Sequence, residues 1–139
     1  KRNRELGALE DYDFSVQKVD VIVINLGTND GGAFVSKGEI LKEDIALFQQ
    51  AAVEFLKKLR RYNSEAYLLW AYGILGKVME KYIVEAIAMY QQLSGDQRVA
   101  YFDLPEMEED GIGARSHPGK LAHQKAAEVL AEKIREILV

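Results

Sequence analysis

Apolar residues follow two rhythms along this chain. Short, mostly apolar runs occur at Val21–Leu26, where β-branched side chains dominate, and at Ala66–Tyr72 and Val99–Leu104. Runs of this length, bounded by turn residues, predict strands covered on both faces. Between them the period lengthens. Ile45, Phe48, Ala52, Phe55, Leu59 and Tyr62 recur in steps of three and four, predicting a helix over 42–62. Met79, Ile83, Ala86, Tyr90 and Leu93 mark a second helix, stopped by Ser94-Gly95-Asp96. Leu121, Ala127, Leu130, Ile134 and Ile137 form the stripe of a third, which Pro118 is placed to open. Residues 1–18 lack a period and read as a loop or arm leading into the first strand, with Tyr12 and Phe14 as anchors.

The order β-α-β-α-β-α with short connections predicts a parallel sheet with right-handed crossovers and helices on its faces. Three strands are few for such a sheet, so an uncovered edge strand is expected to invite pairing, and the chain alone to be marginally stable or to associate through its first strand. With 139 residues and no interdomain linker, the chain reads as belonging to one domain.

Composition narrows the function classes. The formal net charge of −4 argues against nucleic acid or an anionic membrane as the main partner. No segment approaches the roughly 20 apolar residues of a membrane span. The absence of cysteine removes disulfides, thiolate metal sites and a cysteine nucleophile. The cluster Lys57, Lys58, Arg60 and Arg61 falls where a solvated helix end suits the helix dipole. The start at Lys1-Arg2-Asn3-Arg4, without Met or an apolar stretch behind it, fits a processed product or a fragment and shows no signal peptide.

Chemistry concentrates at two places. The first run stops at Gly27-Thr28-Asn29-Asp30, and the carboxyl ends of strands are where open α/β sheets place their ligands. The Asn29 amide can donate to the oxyanion of a tetrahedral intermediate or only cap a turn. Asp30 reads chiefly as accepting local backbone N–H groups, and otherwise as supporting the site. The second place is Ser116-His117-Pro118. Imidazole titrates near neutrality, which makes His117 the best candidate for a general base, set against the ordinary reading of a lone loop histidine as inert. His123 lies inside the last helix and reads as packing or surface. A spacing of six from His117 does not suit a two-histidine metal site, and no metal is expected. Ser15, Ser36, Ser64, Ser94 and Ser116 do not follow a buried strand in a sharp turn, as an activated nucleophile would. Ser116 reads instead as a cap for the last helix. Gly27, Gly31 and Gly32 spell neither GxGxxG nor a Walker pattern.

Taken together, VIVINLGTND, the AYGILG stretch at 71–76 and SHPGKLAHQKAAEVLAEKI resemble the SGNH (GDSL-like) hydrolases. The likeness is strongest to the carbohydrate esterase family 2 branch of acetyl-xylan esterases and runs from about Tyr12 to the C-terminus. It implies a flavodoxin-like three-layer α/β/α fold lacking its first strands, with residues 1–139 as the C-terminal part of one hydrolase domain. It implies deacetylation of O-acetylated carbohydrate through an acyl-serine, without metal or organic cofactor. By this resemblance Asn29 is the oxyanion-hole amide and His117 the base, with Gly27 and Asp30 as supports. The nucleophile belongs to a GDS motif upstream of GTND, so a missing N-terminal segment of the same domain is the expected partner, beside an ester substrate that is a small molecule or a polysaccharide. Where the family often carries Asp three residues before the His, this chain has Ala114. Some family 2 enzymes orient the His with a backbone carbonyl, which makes the carbonyl of Arg115 the candidate orienter and Asp110 the lesser one. The resemblance alone suggests a secreted protein. The alternatives are a non-catalytic carbohydrate- or acyl-binding module and a small nucleotide-binding α/β domain.

Overall fold

The computed structural model describes residues 13, 14 and 16–139. The reading of Tyr12 as an anchor and of Ser15 falls outside them. Phe14 is described, and its ring stacks on Tyr62 with centroids 4.7 Å apart.

Three strands, β1 (Val21–Ile24), β2 (Tyr67–Tyr72) and β3 (Val99–Asp103), form one parallel sheet in the order β1-β2-β3. The helices are α1 (Thr28–Ser36), α2 (Lys42–Tyr62), α3 (Glu80–Ser94) and α4 (Lys120–Leu138), with short 3₁₀ turns at Glu109–Gly111 and Ala114–Ser116. Strand alternation divides the core in two. Ile24, Leu68, Trp70, Tyr72 and Val99 turn toward α2 and α3, meeting Ala52, Val53, Leu56, Ile83, Ala86 and Tyr90. Ala71 turns the other way, toward Leu104 and the α4 residues Ala126, Val129 and Leu130. Helices therefore lie on both faces, giving an α/β/α sandwich as the pattern of the sequence predicts.

Several boundaries and faces differ from the sequence reading. The stretch after β1 is a helix rather than a loop. Two glycines make α1 intrinsically poor, and one of them sits in a close fit, since a Cβ on Gly31 would lie 3.0 Å from Met79 Cγ. The last helix begins at Lys120, two residues past Pro118, with Gly119 and not Ser116 at its N-cap. Its buried stripe runs through Ala122 and Ala126, so Leu121 and Ala127 face outward. Leu93 is likewise exposed.

Arg60 is no solvated helix end. Its Nε donates to Asp96 Oδ2 at 2.8 Å, and its two amino groups donate to the carbonyls of Asn63, Ser64, Ala66 and Arg98. This clamp ties the end of α2 to the starts of β2 and β3, at the edge of the sheet opposite Asn29 and His117.

Candidate active site

The carboxyl edge of the sheet is built by cross-bracing. After β1, Asn25 Nδ2 donates to Ala71 O at 2.8 Å, and Trp70 Nε1 donates to Leu26 O at 3.0 Å. Both bonds fasten the exit of β1 to β2. Gly27 then turns with φ 118° into α1, which a residue with a side chain adopts only at a cost. Thr28, Asn29 and Asp30 thus occupy the first turn of a helix, where the Asp30 carboxylate complements the dipole. Asn29 and Asp30 are both exposed.

His117 is delivered by a loop that braces itself. Gly113 N donates to His117 O at 2.6 Å, His117 N to Ala114 O at 3.1 Å, and Gly119 N to Gly111 O at 2.7 Å. Ile112 and Pro118 form an antiparallel bridge between the two arms. The arms touch so closely that a Cβ on Gly113 would lie 2.9 Å from the Gly119 Cα. Arg115 and Ser116 sit between them at φ 54° and 60°. This left-handed pair turns the Arg115 carbonyl back toward the imidazole, and His117 Nδ1 lies 2.9 Å from it. A carbonyl only accepts, so this hydrogen bond places the ring proton on Nδ1 and leaves the Nε2 lone pair free. Asp110 points elsewhere, with Oδ1 4.0 Å from Lys125 Nζ.

His117 opens on a cavity of about 270 Å³ whose other walls are Asn25, Thr28, Gly73, Ile74, Leu75, Pro118 and His123. The cavity therefore joins the exits of β1 and β2 to the loop after β3. Thr28 lines it, and its neighbour Asn29 lies one step further along the turn. Asp30 lines a second, more apolar cavity with Leu26, Phe48 and Phe55. Gly27 is buried, and a Cβ there would lie 3.2 Å from Ile83 Cδ1 and 3.6 Å from Tyr72 Cε2. The sequence reading missed Asn25, Thr28, Ile74, Leu75 and His123 as lining residues. Their position immediately after strands β1 and β2 was a usable signal for the first four. His123 gave none, because its place in the first turn of α4 carries no pattern that separates a cavity wall from an exposed helix face.

Further along this edge, Lys77 Nζ donates to Asp103 Oδ2 at 2.6 Å, and that hydrogen bond holds the ammonium above the ordinary lysine range. Burial pushes the Tyr101 phenol well above its usual value, with the nearby Glu80 and Asp103 charges adding to the effect. No described helix is long and apolar enough to cross a membrane.

No protein-family model matches the chain. Cellulase/esterase CelE of Acetivibrio thermocellus is 29% identical over 136 residues, which cover 91% of this chain and 15% of that protein. Among solved structures, the acetyl xylan esterase Est2A from the rumen bacterium Butyrivibrio proteoclasticus superposes with a TM-score of 0.93 at 35% identity, over 99% of this chain and 42% of its own. A family two carbohydrate esterase from Clostridium thermocellum, solved in complex with cellohexaose, gives a TM-score of 0.75 at 30% identity, over 91% of this chain and 38% of its own. The chain thus has the fold of a C-terminal portion of the family two carbohydrate esterases, and spans about two fifths of the length of these solved relatives.

Proposed function

We propose that this chain provides the base and the oxyanion donor of a serine esterase that deacetylates carbohydrate. The observation that carries the reading is the 2.9 Å contact between His117 Nδ1 and the Arg115 carbonyl. It fixes the tautomer in which Nε2 can take a proton, and it does so beside the exit of β1. In the proposed reaction a serine hydroxyl from outside these positions attacks the ester carbonyl while Nε2 accepts its proton. The carbonyl oxygen becomes an oxyanion, toward which the Asn29 amide donates, a bond worth about 3 kcal/mol of barrier. The tetrahedral state collapses as His117 returns the proton to the sugar oxygen, which leaves as the alcohol. Water then attacks the acyl-serine with the same base and the same donor, releasing acetate. The relatives are carbohydrate esterases, which supports the substrate class.

One observation favours a second reading. Among the described residues no serine lines the cavity, and Ser36 and Ser94 are occupied with helix carbonyls. A cavity without a nucleophile would bind an acylated sugar and leave it intact.

The test uses the protein of natural length that carries this chain. Wild type is expected to hydrolyse p-nitrophenyl acetate, and His117→Ala to lose about 10²–10⁴-fold in kcat. Equal rates for the two proteins would exclude His117 as the base. An inactive wild type that still binds an acetylated xylo-oligosaccharide would establish the binding module instead.

A further inference from the structure

The turn after β2 is held from three sides, yet it presents apolar side chains to the cavity. Gly73 and Gly76 adopt φ 137° and 96°, and Gly76 N donates to Gly73 O at 2.9 Å, closing the turn over Ile74 and Leu75. Met107 N donates to Ile74 O at 2.9 Å, fastening the turn to the loop after β3. At Gly73 the two loops approach so closely that a Cβ would lie 2.5 Å from Leu104 O. Ile74 packs with Ala71, Leu104 and Ala126 in the smaller core. Leu75 has no such cover and is 41% exposed. Both line the cavity with His117.

A lone exposed leucine is ordinary, but this one stands on a turn that cannot carry it away from the base. An ester of a carbohydrate has two unlike sides. The sugar side is crowded with hydroxyls, which need hydrogen-bond partners when they are desolvated. The acyl side is hydrocarbon. Leu75 and Ile74 offer no polar atom, so this wall suits the acyl group.

We propose that Leu75 sets acyl-chain length, filling the space that a chain longer than acetyl would need, with Ile74 as the fixed wall behind it. The inference rests on the ester-hydrolysis reading above. In that reading a pocket wall discriminates by one methylene at about 10–200-fold.

The experiment compares p-nitrophenyl acetate, butyrate and hexanoate, together with an acetylated xylo-oligosaccharide, in the natural-length protein. Leu75→Ala is expected to raise the butyrate-to-acetate ratio of kcat/KM at least about tenfold. Leu75→Phe is expected to lower it, and Leu75→Met to keep it near wild type. A ratio within twofold of wild type in both folded Ala and Phe variants would overturn the proposal. So would an equal fall for all three esters, which marks a merely structural role. An effect confined to the KM of the acetylated oligosaccharide would also overturn it, assigning Leu75 to the sugar side. If Leu75→Ala does not fold, the Phe and Met variants alone decide. Wild type and His117→Ala run beside them. An inactive wild type sinks the hydrolysis reading itself, and full activity in His117→Ala excludes that base. An active wild type, an inactive His117→Ala and an unmoved ratio sink only the role of Leu75.

Discussion

Arg115 and Ser116 hold left-handed backbone angles, each costing about 1–2 kcal/mol for a residue with a side chain. The hydrogen bonds and bridge between residues 111 and 119 hold that conformation in place. Gly73 shows the opposite device, a position where the absence of a side chain is compulsory. Its φ of 137° excludes L side chains, and the Leu104 carbonyl occupies the space a Cβ would take. Gly73→Ala is expected to destabilise the chain by about 2–4 kcal/mol, read as a lowered urea midpoint with an unchanged slope. A loss under about 0.5 kcal/mol would mean the two loops do not approach as described. At this scale the sequence singled out His117 and Asn29 because imidazole and amide are chemically distinctive after a glycine-rich approach and a strand; the structure sets His117 on the cavity and Asn29 one residue beyond its Thr28 wall. It could not carry the left-handed pair, since neither Arg nor Ser favours that region.

Among the elements, α2 was legible from end to end, because six apolar residues from Ile45 to Tyr62 keep one helical stripe within its 21 positions. The helix α1 was not, since Gly31 and Gly32 mask a segment that tertiary packing makes helical. The stripe of α4 was misplaced at its start for a related reason. Alanines at 122, 126 and 127 carry too little hydrophobic contrast to say which of them faces the sheet. The clamp at the end of α2 was hidden differently: a basic run looks solvated until the carbonyls around Arg60 are in place. The pair is largely buried, with the Arg60 and Asp96 side chains 18% and 12% exposed. Burial by itself would raise the Asp96 pKa. Hydrogen bonds from Arg98 N–H, Tyr90 O–H and Arg60 outweigh it and hold the carboxyl below its usual range. A depressed folded pKa stabilises the fold above the ordinary carboxylate range, and that stabilisation is lost as pH falls through the folded value. Asp96→Asn is therefore expected to cost about 2 kcal/mol near neutrality. Melting curves of the two proteins should converge on acidification below about pH 4. A gap that stays constant down to about pH 2 would refute this account of the pair.

For the molecule as a whole, the three-layer order was readable because alternating strand and helix periods admit few topologies. Coverage of the sheet was less so. The helix α4 lies over β2 and β3 on its face, while Val23, beside Leu69 in the register, is 39% exposed and Leu26 beyond it 53%. Among the described residues β1 is also an edge strand. The 139-residue chain is accordingly predicted to self-associate reversibly through β1. Val23→Lys should weaken that association at least about tenfold in sedimentation equilibrium, because a lysine at the contact must be desolvated. A monomeric wild type with a high melting temperature would count against it. The cavity beside His117 is walled on this same side by Asn25 and Thr28, the residues that follow β1. A segment that docks along that margin would extend the hydrogen-bonded ladder next to the wall of the cavity that His117 faces. On the esterase reading proposed above, pairing along this strand and enclosure of the reacting group would then come together in one event.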